Sequence, residues 1–588
     1  MKILFTKKPV DSGSSIPFAI YQYDESLTHF SGYIDVKTII KKKSLIWLDE
    51  IETSHAELSK RFLAFTRWFW VTPMSRLDAR PWGQEYIFKP LFFARALSDW
   101  MESHPQVQEI IVTGADPFVS NFLQEFQPNA TIEGGRAFAY IVFFVGLALK
   151  QSLKGFLKLC EQFLFVCRSH VFRKFDRDEA LPRLYAENLV LYELVPGEPP
   201  LTGHRYYYGS IFDSMERQKR VSYACIPHKD FSRADLKPSS TFFLLDHLGG
   251  KEVFLSFLNN IFILLVVWLV SFKKIPCPVA GAVSYRFWPV YLFFELGRLS
   301  CFFNICSYGA LKNVLAQGRP KLVIYPYEEK GIERAVLFAC QEKNVKSIGY
   351  LPHPQHRLTL ALRDTMTQSP KPSLYAVCGP VYVDYLKSWG RKNGHPVHVW
   401  GSGKSFTTAP SHRFSSPLKV FLFISHPNEL RVFASWLKGE KRLTNNIVYV
   451  LRIYKGCFDE QFSRGLKSLL ENFKCVQESS RDFSQDLSGC DIAAFCATSA
   501  GIVAVKSGRL AVHVCLDDFF AINPCFDDLE NMLSCESATG FADRVEEIRS
   551  LDELSLRELY AKQQTFADKV FSPIQSDTIE RDLACFRK

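Results

Sequence analysis

The sequence predicts an α/β fold with parallel sheets. Short apolar runs of strand length recur along the chain, separated by stretches with helical spacing, and that alternation is the signature of βαβ units. Several runs also pass straight into a turn and a helix start. Gln108–Thr113 leads into Gly114-Ala-Asp-Pro117 and a helix from Phe118. With 588 residues, 47% of them hydrophobic, the chain has material for three or four cores of about 150 residues each.

Residues 1–135 form an N-terminal α/β region. Ile3–Phe5 starts a first strand, Ser44–Asp49 and Gln108–Thr113 read as strands, and Ser54–Phe69 and Tyr86–Met101 carry helical spacing. Residues 136–185 form a helical basic and apolar segment. There the 13 residues Ala137–Leu149 are apolar, and Lys150, Lys154 and Lys158 follow at four-residue spacing, so they share one helical face. A second apolar run, Ile261–Phe272, ends at Lys273-Lys274. Both runs are shorter than the ~20 residues that span a bilayer. They read as buried helices or as helices lying in a membrane interface.

Residues 186–405 resume the α/β rhythm, with strands at Leu322–Tyr325, Val345–Tyr350, Ser373–Val377 and Val397–Trp400 and a helix at Glu333–Gln341. Residues 406–417, rich in Ser, Thr and Pro, are the linker. Residues 418–588 form a last α/β domain with strands at Lys419–Ile424, Asn446–Ile453, Asp491–Cys496 and Leu510–Cys515, and helix from Leu554 to the end.

Composition narrows the function classes. The net charge of +10 is modest and spread out and argues only weakly for a partner, with anionic lipid, phosphorylated carriers and nucleic acid as the candidates; of these, nucleic acid is not the expected partner. The 16 cysteines include no CxxC pair, so neither a zinc site nor a disulfide scaffold is expected. The opening MKILFTKKPV reads as a strand rather than a signal peptide, so the protein is expected to stay in the cytoplasm.

Four constellations can carry chemistry. Tyr325–Arg334 joins a strand to a helix at the carboxyl edge of a sheet, where α/β proteins place ligands, and concentrates Glu328, Glu329 and Glu333. Helix capping is the alternative role for those carboxylates. His353 and His356 lie in the loop after the next strand and suit proton transfer, phosphate binding or packing. Ala497-Thr-Ser-Ala-Gly501 sits between a strand and a helix, where Thr498 or Ser499 can cap the helix or meet a phosphate. Gly401-Ser-Gly-Lys-Ser405 resembles the end of a phosphate-binding loop, but His398 stands where the first glycine is needed, so it reads as a flexible hinge. Asp176-Arg-Asp178 has no preceding strand and reads as a solvated loop, and no metal site is expected.

The order Tyr327-Glu328-x-x-Gly331-x-Glu333, Ile348-Gly349-Tyr350, Gly379-Pro380 and Thr498-Ser499, with Trp70-Val-Thr-Pro-Met74 and Tyr206-Tyr-Tyr-Gly-Ser210 upstream, is similar to bacterial surface carbohydrate biosynthesis proteins of the O-antigen and capsule type. These resemble GT-B glycosyltransferases of the sialyl- and Kdo-transferase kind. The resemblance implies two Rossmann-like domains facing a cleft, metal-independent transfer from a nucleotide sugar, and no cofactor. It implies a saccharide or lipid-linked acceptor and work at the inner face of the cytoplasmic membrane, held there peripherally. By resemblance Glu328, Glu329, Glu333 and His353 serve the acceptor side, and Thr498 and Ser499 touch donor phosphate. CMP-sugar enzymes of this type carry His-Pro after the strand that here is Tyr449–Ile453. This chain has Arg452-Ile-Tyr-Lys-Gly456 there, so Arg452 and Lys455 stand in with charge, and the one C-domain His-Pro is His426-Pro427 after the strand before. The alternatives are a GT-B-like scaffold without catalysis and a nucleotide-sugar epimerase on the same fold.

Overall fold

The structure, a computed structural model, describes residues 2–6, 18–20, 36–66, 85–105, 109–112, 117–127, 137–173, 187–193, 203–218, 220–226, 241–297, 301–318, 320–328, 330–353, 371–388, 396–404, 414–453, 460–479, 483–496, 498–516 and 532–586. It is an α/β protein with two Rossmann-like sheets, preceded by a smaller N-terminal sheet. That small sheet holds β1 (Lys2–Thr6), β2 (Phe18–Ile20) and β3 (Glu109–Val112) in the order β2-β1-β3, all parallel.

The middle sheet is built from β4 (Asn188–Glu193), β5 (Val221–Ile226), β6 (Thr241–Phe243), β9 (Leu322–Pro326), β10 (Lys346–Leu351), β11 (Leu374–Val377) and β12 (Val397–Val399). Between β6 and β9 a small antiparallel hairpin, β7 (Cys277–Val279) and β8 (Ala282–Ser284), turns through Ala280 and Gly281 at φ +52° and +78°. Paired positive φ values of this kind match the twist of a tight hairpin. The middle sheet's order is β12-β11-β10-β9-β4-β5-β6, parallel throughout. Leu322–Pro326 is buried at every position, as expected of a parallel strand covered on both faces.

The third sheet is built from β13 (Leu418–Ile424), β14 (Ile447–Ile453), β15 (Val476–Glu478), β16 (Ile492–Phe495) and β17 (Leu510–His513), in the order β15-β14-β13-β16-β17, again parallel. Both large sheets reverse direction once. The middle sheet grows from β4 out to β6 and then restarts with β9 on β4's other side. The third grows from β13 to β15 and restarts with β16 on β13's other side.

Two readings are corrected. Ser44–Asp49 is not a strand; it lies inside the 28-residue helix Val36–Leu63. Ile40, Trp47, Leu48, Ile51, Leu58 and Phe62 are buried there at helical spacing, so the short apolar run is one turn of a longer amphipathic stripe. The end of the chain is two helices, Glu553–Val570 and Ser576–Cys585, and the second does not stay with the third sheet. Asp582 accepts hydrogen bonds from Trp400 Nε1 and His398 Nδ1, both at 2.9 Å, which fixes this helix beside β12 of the middle sheet.

The basic and apolar segment is one helix, Ala137–Arg173, packed on the helices Gly250–Ser271 and Phe287–Gly297. The fourteen described cysteines are all free. Asp176, Asp178, His356, Glu329 and Lys455 lie outside the described residues, as does most of the linker.

Candidate active site

In open parallel sheets a crevice forms outside the carboxyl ends of the strands where the order reverses, because the two neighbouring connections leave on opposite faces. In the middle sheet that point lies between β4 and β9. Glu193 ends β4. After β9 the chain runs through Tyr327, Glu328 and Lys330 into the helix Gly331–Glu342. Lys330 Nζ lies 3.3 Å from the Glu328 carboxylate and 3.8 Å from that of Glu193, so one cation bridges the two strand ends. Burial disfavours the charge on Lys330, yet Glu328 and Glu193 outweigh it and hold the ammonium well above its ordinary range.

Glu333 has another task. Its Oε2 accepts from the backbone N–H groups of Glu328, at 2.7 Å, and Lys330, at 2.9 Å, which satisfies free donors at the start of the helix. Burial lifts its carboxyl to about 8, against the pull of Lys330 and with help from Glu328 and Glu193. It is turned into its own backbone and shapes the loop that carries Glu328. Gly349 of β10 has the Tyr327 ring so close that a Cβ there would lie 2.9 Å from it, so the glycine lets the aromatic loop settle on the strand.

His353, two residues beyond β10, has its Nδ1 3.0 Å from Lys404 Nζ. An ammonium only donates, so Nδ1 is the acceptor and the ring proton sits on Nε2. Burial, and then Lys404, hold the imidazole well below its usual pKa, so the ring is neutral. Nε2 is buried and has no partner among the described residues. The ring lies 5.2 Å from Tyr206 and 6.2 Å from Tyr207. Burial also lowers Lys404, to about 8. Its Nζ lies 5.6 Å from the ring centres of Tyr206 and Phe571 and has no carboxylate within 4 Å among the described residues.

The glycine-rich stretch that carries Lys404 is not a loose hinge in its described part. Ser402 N donates to Ser572 O at 2.8 Å, Ser210 N to Gly403 O at 2.9 Å, and Tyr350 Oη to Gly401 O at 2.9 Å. Gly401, at φ +81°, supplies the left-handed turn.

The third sheet reverses between β13 and β16, the corresponding point of that sheet. β13 ends in Ser425-His426-Pro427, which starts the helix Pro427–Gly439. His426 Nδ1 accepts from Asn428 N at 3.2 Å, and the buried Glu429 accepts from Ser425 N at 2.6 Å and His426 N at 3.2 Å. β16 ends next to it and leads to Thr498 and Ser499 ahead of the short helix Ala500–Lys506. Thr498 Oγ1 accepts from Ala500 N at 3.2 Å, while the Ser499 hydroxyl makes no cap. A Cβ on Gly501 would fall 2.0 Å from the Phe495 ring, so only glycine lets this turn close over the strand.

Arg452, at the end of β14, is not a free cation. Its guanidinium donates to the buried Asp486 at 3.0 Å and lies over the Phe483 ring at 5.6 Å, while Asp486 also accepts from the Ser479 hydroxyl.

The structure therefore brings Glu328, Glu333 and His353 to one region and His426, Thr498 and Ser499 to the other. Glu193, Lys330, Tyr206, Tyr207 and Lys404 join the first group without having been singled out as site residues. Glu193 was legible as the polar end of the apolar run Asn188–Glu193, and Lys404 stood in the Gly-Ser-Gly-Lys motif.

No family model and no curated protein matches the chain. Among solved structures it is similar to the S. aureus MnaA–UDP co-structure, at 9% identity and TM-score 0.39, covering 68% of this chain and 96% of that one. It is similar to the α,α-trehalose 6-phosphate synthase from Burkholderia multivorans, at 10% identity and TM-score 0.40, covering 68% and 97%. It is also similar to the calicheamicin glycosyltransferase CalG4, at 11% identity and TM-score 0.36, covering 68% and 98%.

Proposed function

We propose that this chain is a glycosyltransferase that passes a sugar from a nucleotide-sugar donor to a saccharide or lipid-linked acceptor of a bacterial surface polysaccharide, in the cytoplasm at the inner membrane. One observation carries the reading. The two sheets each have a reversal point, and the two chemically different polar groups lie at those two points. Carboxylates, a neutral histidine and lysines gather at the first. Hydroxyls and a helix-starting histidine gather at the second.

On the acceptor side Glu328 takes the proton of the attacking hydroxyl. Lys330 and Glu193 fix its orientation, and Nε2–H of His353 donates to an acceptor oxygen. On the donor side Thr498, Ser499 and His426 receive the nucleotide phosphates, and Arg452, held by Asp486 at the end of β14, adds positive charge to that edge of the sheet. Displacement at the anomeric carbon then breaks the bond to the leaving phosphate as the acceptor oxygen bonds. The reading routes no step through a metal or cofactor, and CMP is one nucleotide among those to be tried.

The test is calorimetry with UDP, CMP and GDP, followed by mass spectrometry of products formed from the nucleotide sugar that binds. Binding of one nucleotide, lost in the double variant Thr498→Ala/Ser499→Ala, is the expected result. Lack of binding to every nucleotide would reduce the fold to a scaffold, and release of an epimerised donor without transfer would make it an epimerase.

A further inference from the structure

The helix Gly250–Ser271 is long and apolar enough to cross a membrane, yet it lies as an outer layer on the fold. One side is seated on the protein, with Val253, Ile263, Val266, Val267 and Val270 buried. The opposite stripe is bare. Phe254, Phe262, Leu265, Leu269 and Phe272 are each between 44% and 70% exposed. The helix Ala137–Arg173 beside it shows a second stripe, in which Leu149, Leu153, Phe156, Leu157 and Leu164 are between 42% and 60% exposed.

The two helices touch at Trp268 and Ser152, where Nε1 donates to the hydroxyl at 3.0 Å, and at Phe163 and Phe257, whose rings lie 4.5 Å apart. One contact moves forward along the first helix as the other moves back along the second, so the pair is antiparallel. At 3.6 residues per turn each bare stripe lies roughly a quarter turn from the contact line, in the same rotational sense on each helix. In an antiparallel pair that places both stripes on the same side. They merge into one apolar face, far more continuous than scattered surface leucines.

Charge fixes what covers it. Lys150 and Lys154 are exposed along the edge of the first stripe, and Lys251, Lys273 and Lys274 are exposed at the two ends of the second helix. Against these five cations the exposed parts of both described stretches carry one carboxylate, Glu161. An apolar face rimmed by lysines fits an anionic lipid surface, with the rings and leucines among the acyl chains and the ammoniums at the headgroups.

We infer that these two helices form a monotopic docking face by which the protein lies on an anionic bilayer. The inference extends the basic segment seen in the sequence to a second helix about a hundred residues later in the chain. It stands independently of the glycosyl-transfer reading.

The experiment is flotation of the full chain with vesicles of phosphatidylcholine alone and of phosphatidylcholine with phosphatidylglycerol. The protein floats with the anionic vesicles at low salt and less with the neutral ones. The triple variant Phe254→Ser/Leu265→Ser/Leu269→Ser, which changes only exposed side chains, stays at the bottom in both. Lys150→Gln/Lys154→Gln weakens anionic binding about 5-fold per lysine and leaves the neutral baseline unchanged. Circular dichroism confirms that both variants keep their helices. Two results overturn the inference. One is absence of flotation with either vesicle at low salt. The other is a wild-type dimer that the triple serine variant turns into a monomer while flotation persists, which would make the face a contact between two copies.

Discussion

Glu333 offers a sharp test of how the loop after β9 is built, because two variants separate its charge from its hydrogen bonds. Glu333→Ala strips the backbone N–H groups of Glu328 and Lys330 of their acceptor, and each buried donor left unmade costs about 1–3 kcal/mol. Glu333→Gln keeps an acceptor oxygen in place. Because burial lifts the carboxyl to about 8, the native side chain is already uncharged at neutral pH, and glutamine resembles that state. The sign of the pH effect follows. The folded protein keeps this proton to higher pH than the unfolded chain does, so its stabilisation is full below 4.5 and is lost as pH rises to about 8. Each unit of the lift corresponds to about 1.4 kcal/mol. Thermal melts of wild type, Gln and Ala across that range are the assay. The Gln variant melts close to wild type at the acid end and increasingly above it as pH rises, while Ala melts below both at the acid end. A wild-type-to-Gln difference that is flat from about 4.5 to about 8 would show that Glu333 is an ordinary ionised cap, and the argument from burial would fail.

Arg452→Ala leaves the buried Asp486 without its cation and costs about 3–5 kcal/mol, read by melting temperature, and Arg452→Ala/Asp486→Ala recovers part of that loss. Gly501→Ala forces a methyl into the Phe495 ring and costs about 1–3 kcal/mol, and Phe495→Leu in the same chain relieves it if the clash is the cause. Lys404→Met removes a neighbouring cation and raises the His353 pKa toward its ordinary value, seen as a shift in that histidine's NMR titration. Glu328→Gln lowers turnover by about 10²- to 10⁴-fold once the donor is known, while leaving nucleotide affinity unchanged.

The strands that carry the site were legible because they are buried on both faces and end in chemistry. Leu322–Pro326 and Ile492–Phe495 are unbroken apolar runs that stop at a polar turn, and hydropathy alone marks them. The failures have equally local causes. Ser44–Asp49 looks like a strand because Leu45, Ile46, Trp47 and Leu48 are adjacent, and only the spacing of Ile40, Ile51 and Leu58 around them shows the helix. Lys404 stands in a motif that reads as a hinge, and its surroundings are hidden in sequence because its partner His353 stands 51 residues earlier and its aromatic neighbour Phe571 comes from the far end of the chain. Glu333 and Glu328 look equivalent in sequence. Only the direction of the helix start decides that one caps the backbone and the other faces the lysine.

The return of the chain's end to the middle sheet links these features. The helix Glu553–Val570 is fastened to the third sheet by the buried Gln563, which accepts from Ala511 N at 2.9 Å and donates to Ala511 O at 2.7 Å. Immediately after it the chain crosses over. Ser572 N donates to Cys378 O at 3.0 Å, Gln575 N donates to Trp400 O at 2.9 Å, and Asp582 holds Trp400 and His398. Gly379 makes room for the crossing, since a Cβ there would fall 2.2 Å from the carbonyl oxygens of Lys569 and Val570. Phe571 stands at the start of this seam with its ring against Lys404 Nζ. One of the two rings beside the lysine therefore belongs to the segment that ties the two sheets together. The two sheets are thus joined through backbone hydrogen bonds and a buried carboxylate at the same seam that places Phe571 beside Lys404.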